Sequence, residues 1–144
     1  MNKVTFHYAD ASLPFHQKRK LKAFIEVLFK KEKVQLRHLT YIFCSDEYLL
    51  KVNRDFLKHD FYTDIITFNL SEDREVEGEI YISTERVKEN ALNLAVPFSS
   101  EILRVVFHGA LHLCGFNDKR KSEITKMRMQ EDLYMRLYNK KNDL

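Results

Sequence analysis

The chain has 144 residues, with 24 Lys and Arg against 21 Asp and Glu, 44% apolar residues, three glycines, two prolines and two cysteines. That size and composition describe a single domain, residues 1–144, with a substantial core, and exclude a disordered chain, a disulfide framework and an array of repeats. No apolar run approaches the ~20 residues of a membrane-spanning helix, and MNKVTFHY lacks the apolar centre of a signal peptide, so a cytoplasmic protein without a membrane partner is expected.

Val4 to Tyr8 is expected to be the first strand, and DASLPF a turn into a helix from about His16 to Lys33. Leu21, Phe24, Ile25, Leu28 and Phe29 recur there at helical spacing and form one apolar face. The opposite face is basic: residues 17–33 carry seven Lys or Arg against two Glu, whereas 71–79 carry five acids against one Arg. Such segregation fits a polyanionic partner as well as it fits a solvated helix face. Leu39 to Cys44 reads as a strand, and Ser45, followed by Glu47 and Tyr48, caps a helix to about Leu57. The β-branched and aromatic run Asp64 to Leu70 and the run Gly78 to Ser83 are two further strands, joined by the acidic hairpin connection.

Thr84 to Leu94 is expected to be helical and to end at Val96 and Pro97, after which Ser99 or Ser100 with Glu101 opens the next helix. Ser122 is expected to cap a last helix to about Asn139, with Ile124, Met127, Leu133, Met135 and Leu137 as its apolar residues. The fold class is α+β: a mixed sheet of about four strands packed by about five helices.

The segment HGALHLCGFND, His108 to Asp118, carries the chemistry. On a helix His108 and His112 share a face one turn apart and can offer ring nitrogens to one ion. A third ligand must come from beyond the helix. Gly115 is suited to stop the helix in the left-handed conformation, after which Asp118 can swing back. Three protein ligands with a fourth position left for water describe a catalytic metal site. ILRVVFHGALHLCGF is apolar almost all round, and two buried imidazoles need a polar partner that a metal supplies. Cys44 and Cys114 are expected to be reduced and buried; Cys114, two positions beyond His112, points away from the histidine face.

Taken in order, NRDFLKHDFYTDIITF, GEIYIS and HGALHLCGFND resemble the YbeY family of metal-dependent endoribonucleases over nearly the whole chain. That family's signature is HGxLHLxGYDH, preceded by an N-x-x-[YF]-R-type segment, a T-D-V-L-S-F strand and a G-D-I-x-I-S strand. Asn53, Arg54, the run Thr63 to Phe68 and the run Gly78 to Ser83 correspond, and Met127 and Glu131 fit a closing M-x3-E. The resemblance implies a fold like that of the zinc peptidases and hydrolysis of single-stranded RNA. It further implies a role in ribosomal RNA maturation, 30S assembly and quality control, with the small ribosomal subunit or its assembly factors as partners. Carried over, His108 and His112 are metal ligands and Arg54 contacts the substrate phosphate as the catalytic residue. The family's third histidine is Asp118 here. A carboxylate binds Zn²⁺ at a similar distance, yet leaves the ion a weaker Lewis acid and favours harder metals somewhat. One Zn²⁺ per chain is expected, with Mn²⁺ or Ni²⁺ as alternatives.

Whether water or the RNA's own 2′-hydroxyl attacks phosphorus is open on sequence. Two rival readings are a nonenzymatic RNA- or ribosome-binding module stabilised by its metal, and a peptide or small-molecule hydrolase. The peptidase is disfavoured, because HExxH enzymes place a glutamate base where this chain has Gly109.

Overall fold

The structure, a computed structural model, describes residues 2–12, 15 and 17–142, with nothing to be said of the side chains of residues 141–142. The elements run β1 (Val4–Tyr8), α1 (Lys18–Lys31), β2 (Leu36–Cys44), α2 (Asp46–Val52), a π-helical turn (Asn53–Leu57), β3 (Ile65–Asn69), β4 (Val76–Ser83), α3 (Thr84–Leu94), α4 (Phe98–Leu113) and α5 (Lys121–Asn142). The four strands form one sheet in the order β1-β2-β4-β3. The first three are mutually parallel, and β3 runs antiparallel at the edge. The expected α+β fold with a mixed four-stranded sheet and five helices is therefore observed.

Alternation along the strands divides the packing between two faces. Tyr41 and Phe43 of β2 and Ile80 and Ile82 of β4 point into the main core, which Leu21, Phe24 and Leu28 of α1 and Val106, Phe107 and Leu111 of α4 complete. Burying each such side chain contributes about 1.5–3 kcal/mol, so α1 is held by its apolar face and not by its charges. Cys44 and Ile66, one position out of phase, face the other way and pack with Leu49 and Val52 of α2. This smaller cluster anchors the segment that leads into the π-helical turn.

The turn residues Leu13 and Pro14 and the helix start at His16 lie outside the described residues, of which α1 takes Lys18–Lys31. Three points differ from the sequence expectations. The helix expected to reach Leu57 changes at Val52 from α to π, because the Asn53 carbonyl accepts from the backbone of Lys58, which takes the left-handed conformation. Pro97, not Ser99 or Ser100, occupies the N-cap of α4; its fixed φ of −63° suits a chain entering a helix. The last helix opens at Lys121 with the Arg120 N–H held by the Glu123 carboxylate, so Ser122 lies inside the first turn, and Ile124 is 51% exposed. Among the described residues no single helix is long and apolar enough to cross a membrane.

Candidate metal centre

Helix α4 is pressed onto the sheet by two glycines. A Cβ on Gly109 would stand 2.8 Å from Ile80 Cδ1 and 3.0 Å from Ile65 Cδ1, and one on Gly78 would stand 2.8 Å from Leu113 Cδ1. The Tyr41 hydroxyl donates to the Val106 carbonyl at 2.8 Å in the middle of the same contact. A side chain at position 109 would have to displace the ends of Ile80 and Ile65, so the glycine suits this close packing, and the chain has no glutamate there. The close approach sets His108 and His112 beside the antiparallel edge strand β3.

The helix then ends as the glycine predicts. Gly115 adopts φ +105°, its N–H donates to the His112 carbonyl at 3.0 Å, and the Phe116 N–H donates to the Leu111 carbonyl at 3.0 Å. This pair of bonds closes the helix and reverses the chain, which brings Asp118 back over the histidines. Its Oδ2 lies 3.2 Å from His108 Nε2 and 3.2 Å from His112 Nε2. One donor atom from each residue lies within 4.8 Å of the others, a group that can hold a metal ion. Tetrahedral donors at bond lengths of about 2.0–2.1 Å stand roughly 3.3 Å apart, the separation that Asp118 keeps from both imidazoles.

A second layer orients the first. Glu131 of α5 is buried and accepts from His108 Nδ1 at 2.6 Å. A carboxylate oxygen accepts, so the ring proton sits on Nδ1 and the Nε2 lone pair is left for a metal. The other Glu131 oxygen meets Arg104 at 2.9 Å, and Arg104 also holds Asp132 at 2.8 Å. Burial pulls the His108 pKa down, but the hydrogen bond and charge of Glu131, with Asp118 and Asp64 beside it, leave it net raised. Burial raises the carboxyls of Asp64 and Glu101, which border the same space. Cys114 is half-buried rather than buried, and desolvation pushes its thiol up to about 12, so it makes a poor ligand.

The triad lies in a cleft of about 790 Å³ lined on one side by Arg104, Arg128 and Glu131 and on the other by Asn53, Leu57, His59, Phe61 and β3. Arg54 is outside that lining. Its exposed guanidinium is paired with Asp60. Counted from Asn53, the arginine of the N-x-x-[YF]-R pattern falls on Leu57, which does line the cleft. No residue of the basic helix α1 lines the cleft either. From sequence Glu131 is placed only in the closing M-x3-E, without a role, and Arg104 is not named. The further signal was an acid at a core position of α5, between Met127 and Tyr134.

A mixed sheet carrying two histidines one turn apart on a buried helix, with a carboxylate returned by a glycine stop, defines an α+β protein with a three-residue cluster that could hold a metal ion. A sequence model of the Endoribonuclease YbeY family matches residues 3–139, and the chain belongs to that family. It is 45% identical over 135 residues to Endoribonuclease YbeY of Cytophaga hutchinsonii, covering 93% of this chain and 94% of that one. It is 47% identical over 105 residues to Endoribonuclease YbeY of Flavobacterium psychrophilum, covering 73% and 75%. The solution structure of TM1509 from Thermotoga maritima is similar, with a TM-score of 0.70 at 29% identity, covering 94% of this chain and 88% of that one.

Proposed function

We propose that this protein is a cytoplasmic endoribonuclease that cleaves single-stranded RNA, with ribosomal RNA of the maturing small subunit as its substrate class. It would hold one divalent transition metal, Zn²⁺ in the first instance, on His108, His112 and Asp118. The observation that carries the reading is the convergence of those three donors within 4.8 Å, at the floor of a cleft, in a chain of this family. When bound, such an ion polarises a phosphoryl oxygen and lowers the pKa of water from about 16 toward 7.

The chain's own groups do the rest. Glu131 keeps the His108 proton on Nδ1, and Arg104 keeps Glu131 in place. Arg128, more than half exposed on the cleft wall, offers a cation to a phosphate. Arg54 meets a phosphate from outside the cleft lining, since its exposed pair with Asp60 is of small worth and a phosphate can replace that partner. The basic surface of α1 adds salt-dependent affinity for the strand.

The test is cleavage of a labelled single-stranded RNA by metal-replete protein and by His112→Ala, each freed of contaminating nucleases, with metal content measured on both. Cleavage by the parent and none by the variant is expected. Equal RNA binding by both with cleavage by neither would replace the enzyme by a metal-stabilised binding module.

A further inference from the structure

The segment from Asn53 to Phe61 is closed on itself by its own bonds. Asn53 is 1% exposed; its side-chain amide donates to the Phe61 carbonyl at 2.9 Å, and its backbone carbonyl accepts from His59 at 3.1 Å. The exposed Arg54–Asp60 pair spans the same loop but adds little to these bonds. Lys58, at φ +59°, supplies the reversal. These ties fix two rings: His59 and Phe61 stack with centroids 5.1 Å apart and planes 20° from parallel. Both line the cleft that holds the triad, and Phe61 is 55% exposed.

The neighbouring exposed rings lie outside the cleft lining. Phe56 meets Phe68 edge-on, while Tyr62 lies beneath the Arg86 guanidinium and donates its hydroxyl to Glu47. The His59–Phe61 pair is exposed in the cleft that holds the triad, on a loop tied by the buried Asn53. An aromatic face of this kind suits a planar, weakly hydrated group, and a nucleobase is one. Bases in a duplex have already spent their faces on one another, whereas those of a single strand have not.

We propose, building on RNA as the substrate, that His59 and Phe61 form a base-stacking subsite that seats one unpaired nucleobase beside the metal centre. The subsite discriminates single strands from duplexes and does so without reading base identity, because every base has a π-face.

The test compares two labelled, nuclease-resistant 2′-O-methyl phosphorothioate strands of equal length, an oligoadenylate and its abasic counterpart, by fluorescence anisotropy. Metal-replete parent and Phe61→Leu are compared, the latter keeping an apolar side chain and removing the ring. The variant should bind the oligoadenylate about tenfold more weakly and the abasic strand unchanged, and His59→Leu should act in the same direction. Phe61 is half in water, so the melting temperature should stay put; if Phe61→Leu does fail to fold, His59→Leu carries the comparison. Equal loss on both strands, or no loss on either, would overturn the subsite. A parent that prefers neither strand would overturn it too. Cleavage of ordinary labelled RNA is followed in parallel. A parent that stacks bases through Phe61 yet cleaves nothing would retire the nuclease reading and keep the subsite.

Discussion

On the α4–α5 wall of the cleft, His108, Glu131 and Arg104 are buried or half-buried and bonded in a chain, with His112 joined to Asp118, whereas His59 and Phe61 on the facing wall, and Arg54 just outside the lining, stand largely in water. The first wall is rigid because each group is the partner of the next, and removing one leaves a desolvated donor or charge behind. The second is held through ties around Asn53, and its exposed His59 and Phe61 rings make no hydrogen bond or ring contact with the described residues of the α4–α5 wall beyond lining the same cleft. Substitutions on the first wall should therefore cost chemistry. Those on the second should cost recognition.

His112→Ala breaks the comparison hardest. Removing one of three ligands should empty the site and slow cleavage by ~10³-fold or more, since the ion supplies several kcal/mol of transition-state stabilisation. Elemental analysis and single-turnover rates check both halves. Metal retained at one equivalent would mean that the ion sits elsewhere.

Glu131→Ala touches no ligand position yet should weaken metal binding by about 10–100-fold, as loss of a supporting carboxylate does. Glu131→Gln keeps an acceptor for His108 Nδ1 and should recover part of that loss. Competition titration against a chromogenic chelator separates the three proteins. Identical affinities would reduce Glu131 to a packing residue.

Arg54→Ala probes the other wall. From its place outside the cleft lining the expected effect is on affinity: RNA binding weaker by several-fold, with a salt slope smaller by about 1, and a nearly parental single-turnover rate at saturating RNA. A ~10²-fold slower rate under saturation would instead bring the guanidinium to the reacting phosphate. Asp118→His, smaller again, should keep the site and tighten zinc binding, because the replacement sits at an open chain reversal with room to adjust. Zinc binding unchanged by this replacement and by Asp118→Ala would show that Asp118 is not a ligand.

The two walls also differed in how much of them could be read from sequence. His108, His112, Gly115 and Asp118 are related by spacings that a helix and its stop determine locally, and α3 was expected over the same Thr84–Leu94 that the structure shows. The strand order β1-β2-β4-β3 depends on pairings between distant residues, and no local pattern carries it. Glu131 becomes part of the site only because α5 folds back across α4. The π-helical turn is a matter of one extra residue per turn, set by the Asn53 carbonyl reaching Lys58, and it turns Leu57 rather than Arg54 into the cleft.

Asp64 stands where the walls meet, and it offers the finest test of their difference. Burial raises its carboxyl pKa, while its hydrogen bonds, including one from Asn90, and the charge of His108 offset only part of that shift. A carboxyl whose folded pKa lies above its unfolded value of about 3.9 binds its proton more tightly in the folded state. Its contribution is thus fully present below the unfolded pKa and is lost as pH rises through the folded one. At neutral pH the ionised Asp64 is a net cost to the metal-free fold. Asp64→Asn, neutral and of the same shape, should raise the melting temperature of metal-free protein at pH 7 by a few degrees. That gain should shrink as pH falls toward 4. Adding Zn²⁺ should narrow it as well, because a nearby cation favours the carboxylate of the parent and not the amide of the variant. Melting curves at both pH values, with and without the ion, measure all four corners; a gain independent of pH would mean that packing and not charge accounts for the effect.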